Sequence, residues 1–318
     1  KLIRKLFPHS NIYFMNPVKP GYSIKEAYYN YNVRDFSLDS DDELKKIIAV
    51  TNSAADLNLH LRISVPNDFA KVKLSKKFGI DGHKAQILLK KIRDKGKKIG
   101  VSFHTGTQCM NPDAYKIAIK KTNSIIKKSG INIDFFNIGG GFPSSYPDIE
   151  PPSLTEFFKV ISYQLSKINQ KESKIKILSE PGRVLVYNAM SLIVRVDLRK
   201  KKYLYINDGI YGLLNNAGKL GFKYNVEVFN NKQSSKLIPF SFYGPTCDSN
   251  DFMKGPFYLP DTISEGDYIE IKEMGAYSIT MGCNFNGFYF KPKIFIGKYK
   301  RKMTNFYKFS SKKEGINY

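Results

Sequence analysis

Nowhere in this chain does an apolar run approach the roughly 20 residues a helix needs to cross a bilayer, and cysteine, histidine and arginine are all scarce. The three cysteines, Cys109, Cys247 and Cys283, are odd in number, far apart and without CxxC spacing. Neither a disulfide framework nor a thiolate zinc site is therefore indicated. The four histidines, at 9, 60, 83 and 104, form no i, i+4 pair, so no metal is expected. The opening residues, Lys1 to Phe7, lack the sustained apolar core of a secretory signal. These absences set the expectation of no membrane partner and a cytoplasmic location.

Acidic residues are also in deficit: 28 Asp and Glu stand against 51 Lys and Arg, a net charge of +23. Such a balance raises nucleic acid as a partner. Only eight of the 51 are arginine, however, and the lysines are scattered through Ile- and Asn-rich sequence instead of gathering on one element. The charge reads as a solvated surface, and no nucleic-acid partner is expected. A positive field repels cationic small molecules, so a substrate of that kind has to be held by a local acid.

The chain has 318 residues, 42% of them hydrophobic, enough for a sizeable core and two domains. Up to about residue 185, short apolar strands alternate with amphipathic helical stretches. Strands are expected at Asn11–Phe14, Asp35–Leu38, Leu59–Ile63, Gly100–Phe103, Asp134–Ile138 and Ile175–Ser179, with helices at Asp41–Ile48 and Lys84–Lys95. Beyond 185 the pattern turns to strands with few helical signals, at Ser191–Val196, Lys202–Ile206, Ile238–Tyr243 and Tyr268–Ile271. The predicted fold is α/β: a parallel (β/α)8 barrel over 1–185, followed by an all-β domain over 186–318 with a loosely ordered tail from about Lys300. A closed barrel needs eight strands and six are read, so the barrel is expected to lack its first strands and the sequence to be N-terminally incomplete.

Chemistry in such a barrel sits at the strands' C-terminal ends, and three of those ends carry informative residues. One strand runs into His104-Thr105-Gly106-Thr107-Gln108-Cys109, another into Gly139-Gly140-Gly141-Phe142-Pro143, and a third into Glu180-Pro181-Gly182-Arg183. Three successive glycines let backbone amides approach an anion closely, although they could also form only a tight turn.

These motifs, with Gly244-Pro245-Thr246-Cys247-Asp248 and Gly275-Ala276-Tyr277 after them, follow one another as in the pyridoxal-phosphate decarboxylases of the alanine-racemase-like fold. The chain resembles the ornithine/lysine branch of that family most. The resemblance implies a carboxy-lyase that converts ornithine to putrescine in polyamine biosynthesis. Lysine, or both substrates, is the alternative, and a non-catalytic regulatory binding protein is an alternative of another class. Pyridoxal phosphate is the implied cofactor and a small cationic amino acid the implied substrate.

By the same resemblance, Glu180 sits beside the ring nitrogen and His104 stacks on the ring face, with Thr107 where serine is usual. Gly139, Gly140, Gly141 and the Pro181-Gly182 turn cradle the phosphate, to which Arg183 and Tyr277 add donors. Cys247 reprotonates the carbanion, a task suited to a thiol, unless it is merely a buried structural thiol. Asp248 binds the distal amine. The Cys-Asp loop enters the partner's site in a head-to-tail homodimer, and Lys77 and Asp251 resemble a pair that bridges its interface, with a plain surface pairing as the alternative. Asn216 stands where relatives tend to place an acid near the far amine. The lysine that forms the Schiff base belongs on the family's first strand. Lys19, in Asn16-Pro17-Val18-Lys19, matches a later strand and is not assigned that role.

Overall fold

The computed structural model describes residues 1–73, 77–168, 175–218, 220–229, 236–288 and 292–294. The chain divides into two compact units, Lys1–Pro143 with Pro151–Gly182, and Ser144–Glu150 with Arg183–Tyr318.

In the first unit, a short helix α1 (Leu2–Leu6) precedes an alternation of strands and helices: β1 (Tyr13–Phe14), α2 (Gly21–Tyr31), β2 (Asp35–Leu38), α3 (Asp41–Val50) and β3 (Asn58–Arg62). After β4 (Ala70–Val72) come α4 (Gly82–Lys95), β5 (Lys98–Ser102), β6 (Thr107–Cys109), α5 (Asp113–Ser129), β7 (Phe135–Asn137), α6 (Leu154–Leu165) and β8 (Lys176–Leu178). Six strands form one parallel sheet in the order β1-β2-β3-β5-β7-β8, so every strand expected from the sequence is present. β2 and β7 are buried throughout and β3 and β5 almost so, the signature of strands covered on both faces; the edge strands β1 and β8 are more exposed.

Local chemistry fixes the helix ends. Ser40 caps α3 through Glu43 N, and Asp41, Asp42 and Glu43 crowd its first turn, where the helix dipole favours negative charge. A reciprocal capping box of Ser153 and Glu156 starts α6. The small antiparallel pair of β4 with β6 was not expected from the sequence: Val72 pairs with Thr107 and Ala70 with Cys109. At three residues each, these strands are too short to show an alternation pattern.

The second unit opens with α7 (Arg183–Val186) and continues through β9 (Leu192–Lys200), β10 (Tyr203–Ile206), α8 (Asn215–Gly218), β11 (Val226–Val228), β12 (Leu237–Tyr243), β13 (Phe252–Pro260) and β14 (Tyr268–Ile271). The sheet order is β11-β14-β9-β10-β12-β13, antiparallel except where β10 meets β12. Val194, Val196, Leu204, Ile206, Phe242, Met253 and Ile269 fill its core, with Phe242 stacked on Phe257 at 4.3 Å. Tyr146, from Ser144–Glu150, belongs to the same cluster, which is why that segment goes with the second unit. β11 and β13 were not read from the sequence. β13 carries Gly255-Pro256 in its interior, residues that argue against a strand, and it lies at the sheet edge, where proline is tolerated.

Among the described residues no helix is long and apolar enough to cross a membrane. The tail expected to be loose from Lys300 lies outside the described residues.

Candidate active site

In the first unit the three strand ends converge around the glycines. Gly139 and Gly141 have φ of +66° and +107°, which favours glycine. A Cβ on Gly139 would lie 2.0 Å from Phe103 O, one on Gly140 2.2 Å from Glu180 O, and one on Gly141 2.2 Å from Gly106 O. No side chain fits at any of the three. The Gly140 Cβ would also lie 3.1 Å from His104 Nε2, so the imidazole edge lies close beside this glycine.

His104 Nδ1 accepts the Gly106 N–H at 3.0 Å, which leaves the proton of the neutral ring on Nε2. Burial, with the Arg62 charge adding to it, pushes its pKa down to about 4. At neutral pH His104 is therefore an uncharged flat ring. Glu180 Oε1 accepts from Asn137 Nδ2 at 2.7 Å, and Asn137 Oδ1 in turn takes the Gly139 N–H at 2.8 Å. Burial raises the Glu180 pKa, while Arg62 and the Asn137 hydrogen bond oppose that rise. Thr107, half-buried at the start of β6, makes no side-chain hydrogen bond among the described residues. Pro181 is half-buried and Gly182 exposed.

Arg62 is a site residue that motif matching missed. It closes β3 at the same sheet end as the three motifs, so a rule based on strand-end position would have found it. Lys19 is 1% exposed and ion-paired to Glu43 at 3.0 Å, and its ammonium also donates to Asn16 O. It is an internal structural cation.

In the second unit, Arg183 is buried against aromatic rings, its guanidinium carbon 4.8 Å from the Phe222 centroid and 5.0 Å from Tyr277's. Nη1 donates to Tyr146 Oη at 2.9 Å, and Nε is buried with no partner. Tyr277 is 47% exposed and has φ +56°. Asn216 holds that backbone: its amide donates to Tyr277 O at 3.2 Å and to Ala276 O at 3.4 Å. Asn216 is 4% exposed, and its amide is occupied by these carbonyls.

Cys247 and Asp248 lie together on the loop between β12 and β13. Cys247 is exposed, unlike the buried Cys109, so the reading as a buried structural thiol does not apply. Asn286 Nδ2 donates to its sulfur at 2.8 Å. Asp248 accepts a short hydrogen bond from Tyr211 and one from Asn250 N at 2.9 Å, and the Tyr211 bond leads in lowering its pKa. Tyr211 stacks on Phe285 at 4.1 Å. Asp251 is 1% exposed and faces inward, accepting from Ile210 N at 2.9 Å, Thr246 Oγ1 at 2.8 Å and Thr246 N at 3.2 Å. Lys77 lies over the Phe78 ring at 5.1 Å.

A parallel β/α sheet that brings free glycine amides, a neutral imidazole and a buried acid together at its strand ends suits an enzyme that holds a flat ligand with an anionic group. The family model for the pyridoxal binding domain of pyridoxal-dependent decarboxylases matches residues 3–187, and the chain belongs to that family. It is 31% identical over 295 residues to lysine/ornithine decarboxylase of Selenomonas ruminantium, covering 90% of this chain and 72% of that protein. Ornithine decarboxylase of Mus musculus is 30% identical over 313 residues, 91% of this chain and 66% of the mouse protein. Antizyme inhibitor 2 of Xenopus laevis is 31% identical, covering 88% of this chain and 65% of its own length. Among solved structures, lysine/ornithine decarboxylase of Vibrio vulnificus complexed with cadaverine superposes with a TM-score of 0.73 at 29% identity, covering 87% of this chain and 73% of that one.

The residues fit pyridoxal phosphate. The backbone N–H groups of Gly140, Gly141 and Phe142 have no partner among the described residues. Buried donors are almost always paired, and an anion would satisfy these.

Proposed function

We propose that this protein decarboxylates ornithine to putrescine, using pyridoxal phosphate, as a cytoplasmic head-to-tail homodimer in which the Cys247–Asp248 loop serves the partner's site. The observation that carries the reading is the adjacent pair on that loop: an exposed thiol beside an acid held ionised. A thiol can donate the final proton, and a carboxylate can hold a distal ammonium against the protein's positive field.

When bound, pyridoxal phosphate supplies the electron sink for the pair left by carbon dioxide. Glu180 holds a proton at the ring nitrogen, and its orientation is set by Asn137. His104, neutral because buried, covers the ring face without adding charge. The orphaned glycine amides bind the phosphate, and Arg183 and Tyr277 add donors to it. Thr107 contributes its unpaired hydroxyl. Cys247 then delivers a proton from Sγ.

The named activities of the Selenomonas and Vibrio relatives favour a second reading, in which lysine is also accepted and cadaverine formed. The likeness to antizyme inhibitor 2 favours a third, a non-catalytic regulator. Against it stand Glu180, Arg183, Cys247 and Asp248 together, since a binding protein has no physical need for a ring-nitrogen acid.

The test is release of carbon dioxide from ornithine, lysine and diaminopimelate by the protein as its gene encodes it. Turnover of ornithine at least about tenfold faster than lysine is expected, a difference of about 1.4 kcal/mol. Equal rates would favour the dual enzyme, and no release from any of the three would favour the regulator. Glu180→Ala should cut the ornithine rate roughly 100-fold with cofactor still bound; an unchanged rate would remove the ring-nitrogen assignment.

A further inference from the structure

The glycine turn is supported by residues outside its own Gly139–Pro143 segment. Each of its three carbonyls is occupied: Gly139 O accepts Glu180 N at 2.8 Å, and Gly141 O accepts Cys109 N at 2.9 Å. The middle one, Gly140 O, accepts two hydroxyls, Tyr115 Oη at 3.0 Å and Thr105 Oγ1 at 3.2 Å. A carbonyl has two lone pairs, and here both are taken.

The only cis bond among the described residues is Gly255-Pro256, so the peptides of the turn are trans. In a trans peptide the carbonyl and the following N–H point in opposite directions. Fixing Gly140 O therefore fixes the direction of the Gly141 N–H, one of the three consecutive donors left without a partner. Without those hydroxyls the Gly140–Gly141 peptide could rotate, because glycine permits most φ and ψ values.

We propose that Tyr115 and Thr105 are positioning residues for phosphate binding: by clamping Gly140 O they aim the Gly141 N–H at the cofactor's phosphate. Tyr115 lies on α5, outside every motif at the strand ends. It is fully buried, stacked on Phe142 at 5.0 Å and edge-on to Phe157 at 5.8 Å. Burial raises its pKa, which keeps the phenol protonated as a donor. Thr105 is equally buried, and its hydroxyl oxygen lies 2.7 Å from where a Gly141 Cβ would be.

The proposal rests on the pyridoxal-phosphate reading, and the test separates the two. Tyr115→Phe keeps the ring packing and removes one hydroxyl; Thr105→Val removes the other at nearly constant shape. Dissociation constants are measured for pyridoxal phosphate and for pyridoxal, which lacks the phosphate, and the 31P resonance of the bound cofactor is recorded. Each single variant should weaken pyridoxal phosphate about 3- to 10-fold, the worth of one net hydrogen bond. The double variant should weaken it more, pyridoxal should stay within about twofold throughout, and the 31P resonance should shift.

Equal weakening of both ligands would assign Tyr115 and Thr105 to packing alone and overturn the proposal. So would unchanged affinity for both. If the unaltered protein bound neither ligand, the cofactor reading itself would fall.

Discussion

The two units prepare chemistry in opposite ways. In the first, the candidate site is built of backbone: three glycines whose every carbonyl is anchored and whose next amides have no partner among the described residues, with no room for a Cβ. In the second the candidate groups are side chains, the proposed pair Cys247 and Asp248, on a loop whose tip is exposed and whose base is fastened by the buried carboxylate of Asp251. Gly209 and Gly244 crowd that carboxylate, since a Cβ on either would come within 2.3 Å of Asp251 Oδ1. A fixed anion calls for a rigid backbone cradle. A proton donor has to be reachable, and its precision comes from the loop's root.

The contrast can be broken most severely at Gly139. Gly139→Ala adds a Cβ 2.0 Å from a backbone oxygen at a φ of +66°. Overpacking and backbone strain together should cost about 4 kcal/mol and abolish cofactor binding, read by urea denaturation and cofactor absorbance. A variant that folds normally and binds cofactor would show that the cradle is softer than it looks.

A second test addresses the loop's root through pH. Asp208 accepts Gly209 N at 2.6 Å and Leu213 N at 2.8 Å, and burial, with the Asp251 charge adding, pushes its pKa up to about 7. Unfolded, it titrates near 4. Between those values the folded state holds the extra proton. Its contribution to stability is thus complete below about pH 4 and is lost as pH rises through 7, a change of up to about 4 kcal/mol. Asp208→Asn keeps an acceptor oxygen and should flatten that part of the stability profile. A parallel profile in the variant would remove Asp208 as its source.

The smallest structural effect is expected at Cys247. Cys247→Ala should leave the urea midpoint and cofactor absorbance unchanged, within about 0.5 kcal/mol, while slowing or misdirecting the final protonation about tenfold. Loss of bound cofactor would contradict the division of labour between the units.

Legibility in the sequence followed the same division. The six parallel strands were readable because buried β/α strands are short apolar runs between helical periods, and the glycine and Glu180 motifs could be found because they end those runs. β13 was hidden by Gly255-Pro256 and the β4–β6 pair by its brevity. Arg62 had only its strand-end position to mark it, and Tyr115 carries no local signature, since what it does depends on neighbours far along the chain. Asn216 shows the converse: it stood out in the sequence for the charge it lacks, and only the fold shows its amide spent on two carbonyls.

The partners of the glycine turn are themselves distant, with Tyr115 25 residues away from Gly140 and Thr105 35. Such contacts form only after β5, α5, β7 and β8 have come together, because loop closure precedes the reward for non-local pairing. The turn therefore takes its final form only in the assembled unit. A ligand that binds only the finished arrangement would draw the population toward it by mass action.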